Sequence, residues 1–150
     1  MKIVFLHLDN VVTNFESYDL AIKKLGNRSP FLDLRNEAVD PELVGRINKL
    51  TDAGCQIVVA SSWRYSSDLA TIESVLVAKG FTGKLLAVLG DEPTDDLAMS
   101  VWMKEFAPEG VKFAIVETGK IGLFESKTVV AVQGLSDDNV SKILEILNEN

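Results

Sequence analysis

The stretch KIVFLHLDN, residues 2–10, decides the fold. Ile3 to Leu6 are apolar without a break and rich in β-branched and aromatic side chains. A run of that kind is a strand buried on both faces rather than one with a wet side. CQIVVASS, residues 55–62, repeats the pattern. Between the two runs lies DPELVGRINKLTDAG, residues 40–54, which carries the marks of a helix. Asp40 suits the N-cap, Pro41 the first helical position and Gly54 the stop. Leu43, Ile47 and Leu50 fall on one face. Strand, amphipathic helix and strand make a parallel pair joined by a right-handed crossover.

The same alternation continues in both directions. ESYDLAIKKLG reads as a short helix ending at Gly26, and NRSPFLDLRNEAV as an irregular segment broken by Pro30. SSDLATIESVLVAKG is a helix with Leu69, Ile72, Val75 and Leu76 inward, and GKLLAVLG is a third strand. TDDLAMSVWMKEF is a helix capped by Thr94, with Trp102 on its apolar side. VKFAIVET and KTVVAVQ are the fourth and fifth strands. SDDNVSKILEILNEN is a final helix, capped by Ser136, with Val140, Ile143, Leu144 and Leu147 as its stripe. The expectation is one α/β domain over residues 1–150: a three-layer, Rossmann-like, mainly parallel five-stranded sheet with helices on both faces.

The chain has 150 residues, enough to bury a core of single-domain size. No apolar run approaches the roughly 20 residues of a membrane helix. Lys2 precedes a short strand-like run with no small-residue cleavage site, so no leader peptide is expected. Cys55 is the lone cysteine and sits in an apolar run, which suits a buried thiol in a reducing compartment. The expected location is cytoplasmic, with no membrane partner. Fifteen Lys and Arg stand against 22 Asp and Glu, a formal charge of −7. Strong nucleic-acid binding is therefore not expected, because phosphate backbones attract basic surfaces.

In open parallel sheets ligands bind beyond the carboxyl ends of the strands. Three strands end there in polar residues: His7, Asp9 and Asn10; Ser61, Ser62, Trp63 and Arg64; Glu117 and Thr118. His7 is the sole histidine. Capping is the default role of Asp95, Asp96, Asp137 and Asp138, since acids at a helix start complement its dipole. Arg28 and Arg35, in the irregular segment over the crevice, read first as solvated loop charges and second as groups that touch a ligand.

VFLHLDNVVT resembles the first motif of the haloacid dehalogenase-like superfamily, a strand ending in Asp-x-Asp. IVVASSWR is similar to the second motif, and more narrowly to small members without a large cap that carry Ser-Ser-Trp-Arg. The resemblance runs over almost the whole chain. It implies phosphoryl chemistry in which a first Asp attacks, a second Asp is acid and base, a Ser or Thr binds the phosphoryl oxygens, a Lys steadies them, and an acidic pair helps hold Mg²⁺. Carried over, Asp9 is the acid/base and Ser61 the phosphate-binding hydroxyl. Ser62, Arg64 and Asn10 are the further phosphate-binding candidates. His7 stands at the nucleophile position. Glu117–Thr118 stands where the acidic pair belongs and leaves Glu117 as the metal-ligand candidate. The Lys has no clear match; Asp95 lies near its place, and Lys120 reaches the site only if its loop folds back.

These departures matter physically. Imidazole attacks phosphorus in known chemistry, but its ring is longer than an Asp side chain, and a misplacement of about 1 Å costs roughly a hundredfold. Mg²⁺ wants hard oxygen ligands and loses one at His7. Zn²⁺ or Mn²⁺ would accept His7 with Glu117. Alternatively, a histidinium at position 7 pairs with Asp9 or Glu117 and replaces the metal charge. The leading expectation is a catalytically degraded protein with no cofactor that binds a phosphorylated small ligand, a nucleotide or a protein partner. The alternative is a Mg²⁺-dependent phosphohydrolase or phosphotransferase acting on a nucleotide or nucleic-acid end, with an atypical or introduced His7. A third reading is a borrowed scaffold that docks a partner on the segment from Phe15 to Phe31.

Overall fold

A computed structural model describes residues 1–119 and 122–149. Five strands form one sheet: β1 (Lys2–Leu6), β2 (Gln56–Val59), β3 (Leu85–Val88), β4 (Lys112–Glu117) and β5 (Thr128–Val130). Their order is β3-β2-β1-β4-β5 and every neighbouring pair is parallel. The helices are α1 (Phe15–Leu25), α2 (Phe31–Ala38), α3 (Pro41–Asp52), α4 (Leu69–Ala78), α5 (Asp95–Phe106) and α6 (Asp137–Asn148). The fold is a three-layer, Rossmann-like α/β sandwich without a large cap.

β1 shows why its sequence has no polar side. Val4 and Leu6 enter a core with residues of α3, α4 and α6, such as Ile47, Ile72 and Ile143. Ile3 and Phe5 enter a second core, against Ala98, Met99 and Trp102 of α5. Phe5 meets Trp102 edge-on at 5.8 Å, an arrangement that aligns a ring edge with a π face. Alternate residues of one strand thus serve opposite layers, as the two-residue strand period requires.

The strand order fixes where a ligand belongs. β1, β2 and β3 wind outward on one side, and β4 and β5 on the other. The winding reverses between β1 and β4, which opens a crevice at their carboxyl ends.

The expected helix ends hold. Asp40, Thr94 and Ser136 accept the amides of Glu42, Leu97 and Asn139. The segment around Pro30 departs from expectation: residues 31–38 are helical, not irregular. Pro30 occupies the N-cap with φ −53°, where its missing N–H costs no helical bond. Its residues show no inward apolar stripe because Phe31 and Leu32 are exposed and only Arg35 and Ala38 are buried. No described helix is long and apolar enough to cross a membrane.

Candidate functional site

The sheet ladder carries past Leu6: Ala60 donates its amide to Leu6 at 2.9 Å and His7 donates its own to Val116 at 3.2 Å. The chain then curls. Val11 and Val12 donate to the carbonyl of Leu8, and Asn10 takes a left-handed φ of 58°. Asn10 tolerates that region better than most side chains. Its amide donates to Thr13 Oγ1 at 3.0 Å, closing the turn over a fully buried Thr13. The curl leaves His7 and Asp9, two residues apart, both at the crevice.

A cavity of about 380 Å³ opens there, lined by His7, Asp9, Ser61, Ser62, Arg64, Tyr65, Asp95 and Thr118. Six of the strand-end polar residues singled out from sequence, His7, Asp9, Ser61, Ser62, Arg64 and Thr118, therefore line one cavity. Asn10 is not among the lining residues. Glu117 touches His7 from behind and lines an adjoining cavity of about 620 Å³ at the start of α5. Lys120 lies outside the described residues.

Asp9 is held by neutral donors. The Trp63 indole Nε1–H donates to Asp9 Oδ1 at 2.9 Å, and the Tyr18 hydroxyl donates to the same oxygen at 3.4 Å. Burial pushes the Tyr18 hydroxyl up to about 12, with the Asp9 charge and hydrogen bond adding to the shift. Behind the indole, the Arg35 guanidinium lies over the Trp63 ring at 4.0 Å. Arg35 also donates to the hydroxyls of Ser66 and Ser67 at 3.1 and 3.2 Å. It is 2 % exposed, so the expectation of a solvated loop charge is overturned. That burial lowers its pKa, and the Asp9 charge partly offsets the shift.

His7 faces charged groups instead. Its Nε2 lies 3.1 Å from Glu117 Oε2 and 3.7 Å from Asp95 Oδ2. The atom is shut from solvent and makes a hydrogen bond to neither carboxylate. The expected pairing of His7 with Glu117 is present; Asp95, not Asp9, is its second acidic neighbour. Asp95 also meets Arg64, whose Nη2 lies 2.8 Å from Asp95 Oδ1. Arg64 further donates to the carbonyls of Ala60, Ser61 and Gly90 and to the Tyr65 hydroxyl. Its side chain is only 2 % exposed, so it ties the end of β2 to the start of α5. Ser61 is 1 % exposed and its hydroxyl accepts the Trp63 amide, whereas Ser62 is exposed at the rim.

Asp95 and Tyr18 are the residues that sequence reasoning missed as parts of the site, whereas the sequence reading places Arg35 over the crevice, chiefly as a solvated charge. Asp95 had one signal: it stands near the place where the family resemblance expects a Lys.

Mg²⁺, which the resemblance implies, does not fit this donor set. An imidazole nitrogen stands where the resemblance expects a carboxylate oxygen, and Asp9 Oδ1 already accepts from Trp63 and Tyr18, so the octahedral set of hard oxygens is not assembled. The fold and crevice define an α/β protein with a polar, charge-paired site at its topological switch point. Comparison with protein-family models, curated proteins and solved structures gives no match to the chain.

Proposed function

We propose that this protein is a haloacid dehalogenase-like binding protein that holds a phosphorylated small ligand or nucleotide without efficient phosphoryl transfer. The observation that carries the reading is the pairing of the crevice with itself. His7 occupies the strand end where a nucleophilic carboxylate is needed, and its ring is turned to Glu117 and Asp95. Asp9 has one oxygen committed to Trp63 and Tyr18, and the Arg64 donors are committed to carbonyls and Asp95. Beside these charged groups the cavity is lined by the hydroxyl residues Ser61, Ser62 and Thr118, of which Ser61 is itself buried. Hydroxyls of this kind orient a phosphoryl group but do not cleave it. The absence of a large cap suits a ligand that protrudes into solvent.

Loss of a catalytic nucleophile costs roughly 10⁴- to 10⁶-fold in well-studied hydrolases. Phosphate release from an aryl phosphate and from nucleoside phosphates, in Mg²⁺, Mn²⁺ or Zn²⁺, is therefore expected near background. Calorimetric binding of a nucleoside monophosphate is expected to be measurable and weakened by Ser61→Val. Metal-dependent turnover by the unaltered chain, abolished by Asp9→Asn, would replace this reading with the phosphohydrolase one.

A further inference from the structure

We infer that His7, Asp95 and Glu117 form a site for one borderline divalent cation of the Zn²⁺ type. The three residues come from three elements: the end of β1, the first turn of α5 and the end of β4. They are 88 or more positions apart except for Asp95 and Glu117, so only the fold brings them together. One ligand atom from each, the ring nitrogen and two carboxylate oxygens, lies within 4.8 Å of the others. Around an ion with bonds of about 2.1 Å, neighbouring ligand atoms stand roughly 3.0–3.4 Å apart. The His7–Glu117 separation of 3.1 Å already meets that spacing, and the His7–Asp95 separation of 3.7 Å is a small adjustment away.

A second observation points to an ion. His7 Nε2 is buried at the atom level, aimed into the cluster, and makes no hydrogen bond there. A shielded ring nitrogen that faces two carboxylates at ion-pair distance, without a hydrogen bond to either, is placed as a ligand would be.

The donor set selects the ion. One imidazole and two carboxylates favour Zn²⁺, and Mn²⁺ more weakly, over Mg²⁺. Asp95 is held for the task from its other side, since Arg64 fixes Oδ1 and leaves Oδ2 toward His7. Thr118 steadies Glu117 in the same way by donating its amide to Oε1 at 2.9 Å. Outer contacts of this kind orient metal ligands. The inference runs against the expectation of a cofactor-free protein. It stands whether or not the cavity takes a phosphoryl group, because it concerns the ion alone.

The test uses the full chain without a histidine tag. His7 is the sole histidine, so its ring gives a single set of nitrogen resonances. Titration with Zn²⁺ is expected to show one ion per chain by calorimetry and to shift those ring signals. Co²⁺ is expected to give visible absorption from a nitrogen–oxygen site, a readout that needs no variant. His7→Gln should weaken Zn²⁺ binding by at least about 100-fold, since even outer-contact losses cost roughly 10- to 100-fold. Millimolar Mg²⁺ should not displace Zn²⁺. Unmoved ring signals, full affinity in folded His7→Gln, displacement by equimolar Mg²⁺, or binding that follows Cys55 rather than His7 would each overturn the inference.

Discussion

His7 and Asp9 leave the same strand two residues apart and meet opposite kinds of neighbour. Asp9 is met by an indole N–H and a phenol, with a buried guanidinium stacked behind the indole. His7 is met by two carboxylates, one of them locked to Arg64. The first station fixes a charged oxygen with neutral dipoles, which set direction without cancelling charge. The second gathers opposite charges, which set the local field and depend less on angle. One crevice thus separates orientation from electrostatics. Substitutions at the two stations should fail in different ways.

The largest effect is expected at the Asp9 station. Trp63 is 2 % exposed, and Trp63→Ala removes a buried ring, the Arg35 stack and the Asp9 donor together. It should cost about 3–5 kcal/mol in urea unfolding. Trp63→Phe keeps most of the volume and should cost clearly less; an equal loss would mean that the indole N–H, not the packing, carries the station.

Next comes the charged station. Arg64→Ala strands the carbonyls of Ala60, Ser61 and Gly90 and unlocks Asp95. Hydrogen bonds to charged groups suggest a loss of about 2–3 kcal/mol by chemical denaturation. Asp95→Asn should cost much less, because Asp95 is 39 % exposed and surface pairs contribute little. If the two variants proved equal, the ion pair would outweigh the carbonyl contacts.

Tyr18→Phe is smaller again, about 0.5–1 kcal/mol, because its bond to Asp9 is long at 3.4 Å. Its pH signature is sharper than its size. Folding raises the hydroxyl from 10.0 to about 12, so the folded state holds that proton more tightly than the unfolded chain does. The contribution is complete below pH about 10 and is lost as pH rises toward about 12. Tyrosinate absorbance should show this late transition in the parent and lack it in Tyr18→Phe.

The smallest effect is expected far from both stations. Phe15 and Phe31 are 80 % and 65 % exposed. Phe31→Ser should change stability by less than about 0.5 kcal/mol. A larger loss would show that the apolar segment from Phe15 to Phe31 packs more than its exposure suggests.

Much of the fold was legible because its signals are local. Asp40, Thr94 and Ser136 announce helices by their own side chains, and the unbroken runs at Ile3–Leu6 and Ile57–Ala60 announce a sheet covered on both faces. The helix at 31–38 was not legible. A proline at its start reads as a breaker, and its inward positions hold Arg35 and Ala38 rather than a stripe. The strand-end polar groups could be gathered from sequence because the parallel topology dictates where they converge. Asp95 could not, since two acids opening a helix look like capping until Arg64 arrives from a strand end 31 positions earlier. The burial of Arg35 depends on the face of Trp63, a partner 28 positions away that no periodicity reveals.

The two tryptophans lie on opposite sides of the sheet: Trp63 in the core shared with α3, α4 and α6, and Trp102 in the core shared with α5. One indole sits under a cation and the other beside phenyl rings. Each layer of the sandwich therefore carries its own fluorophore. Single-tryptophan variants would report whether the layers melt together or whether the one-helix side peels away first.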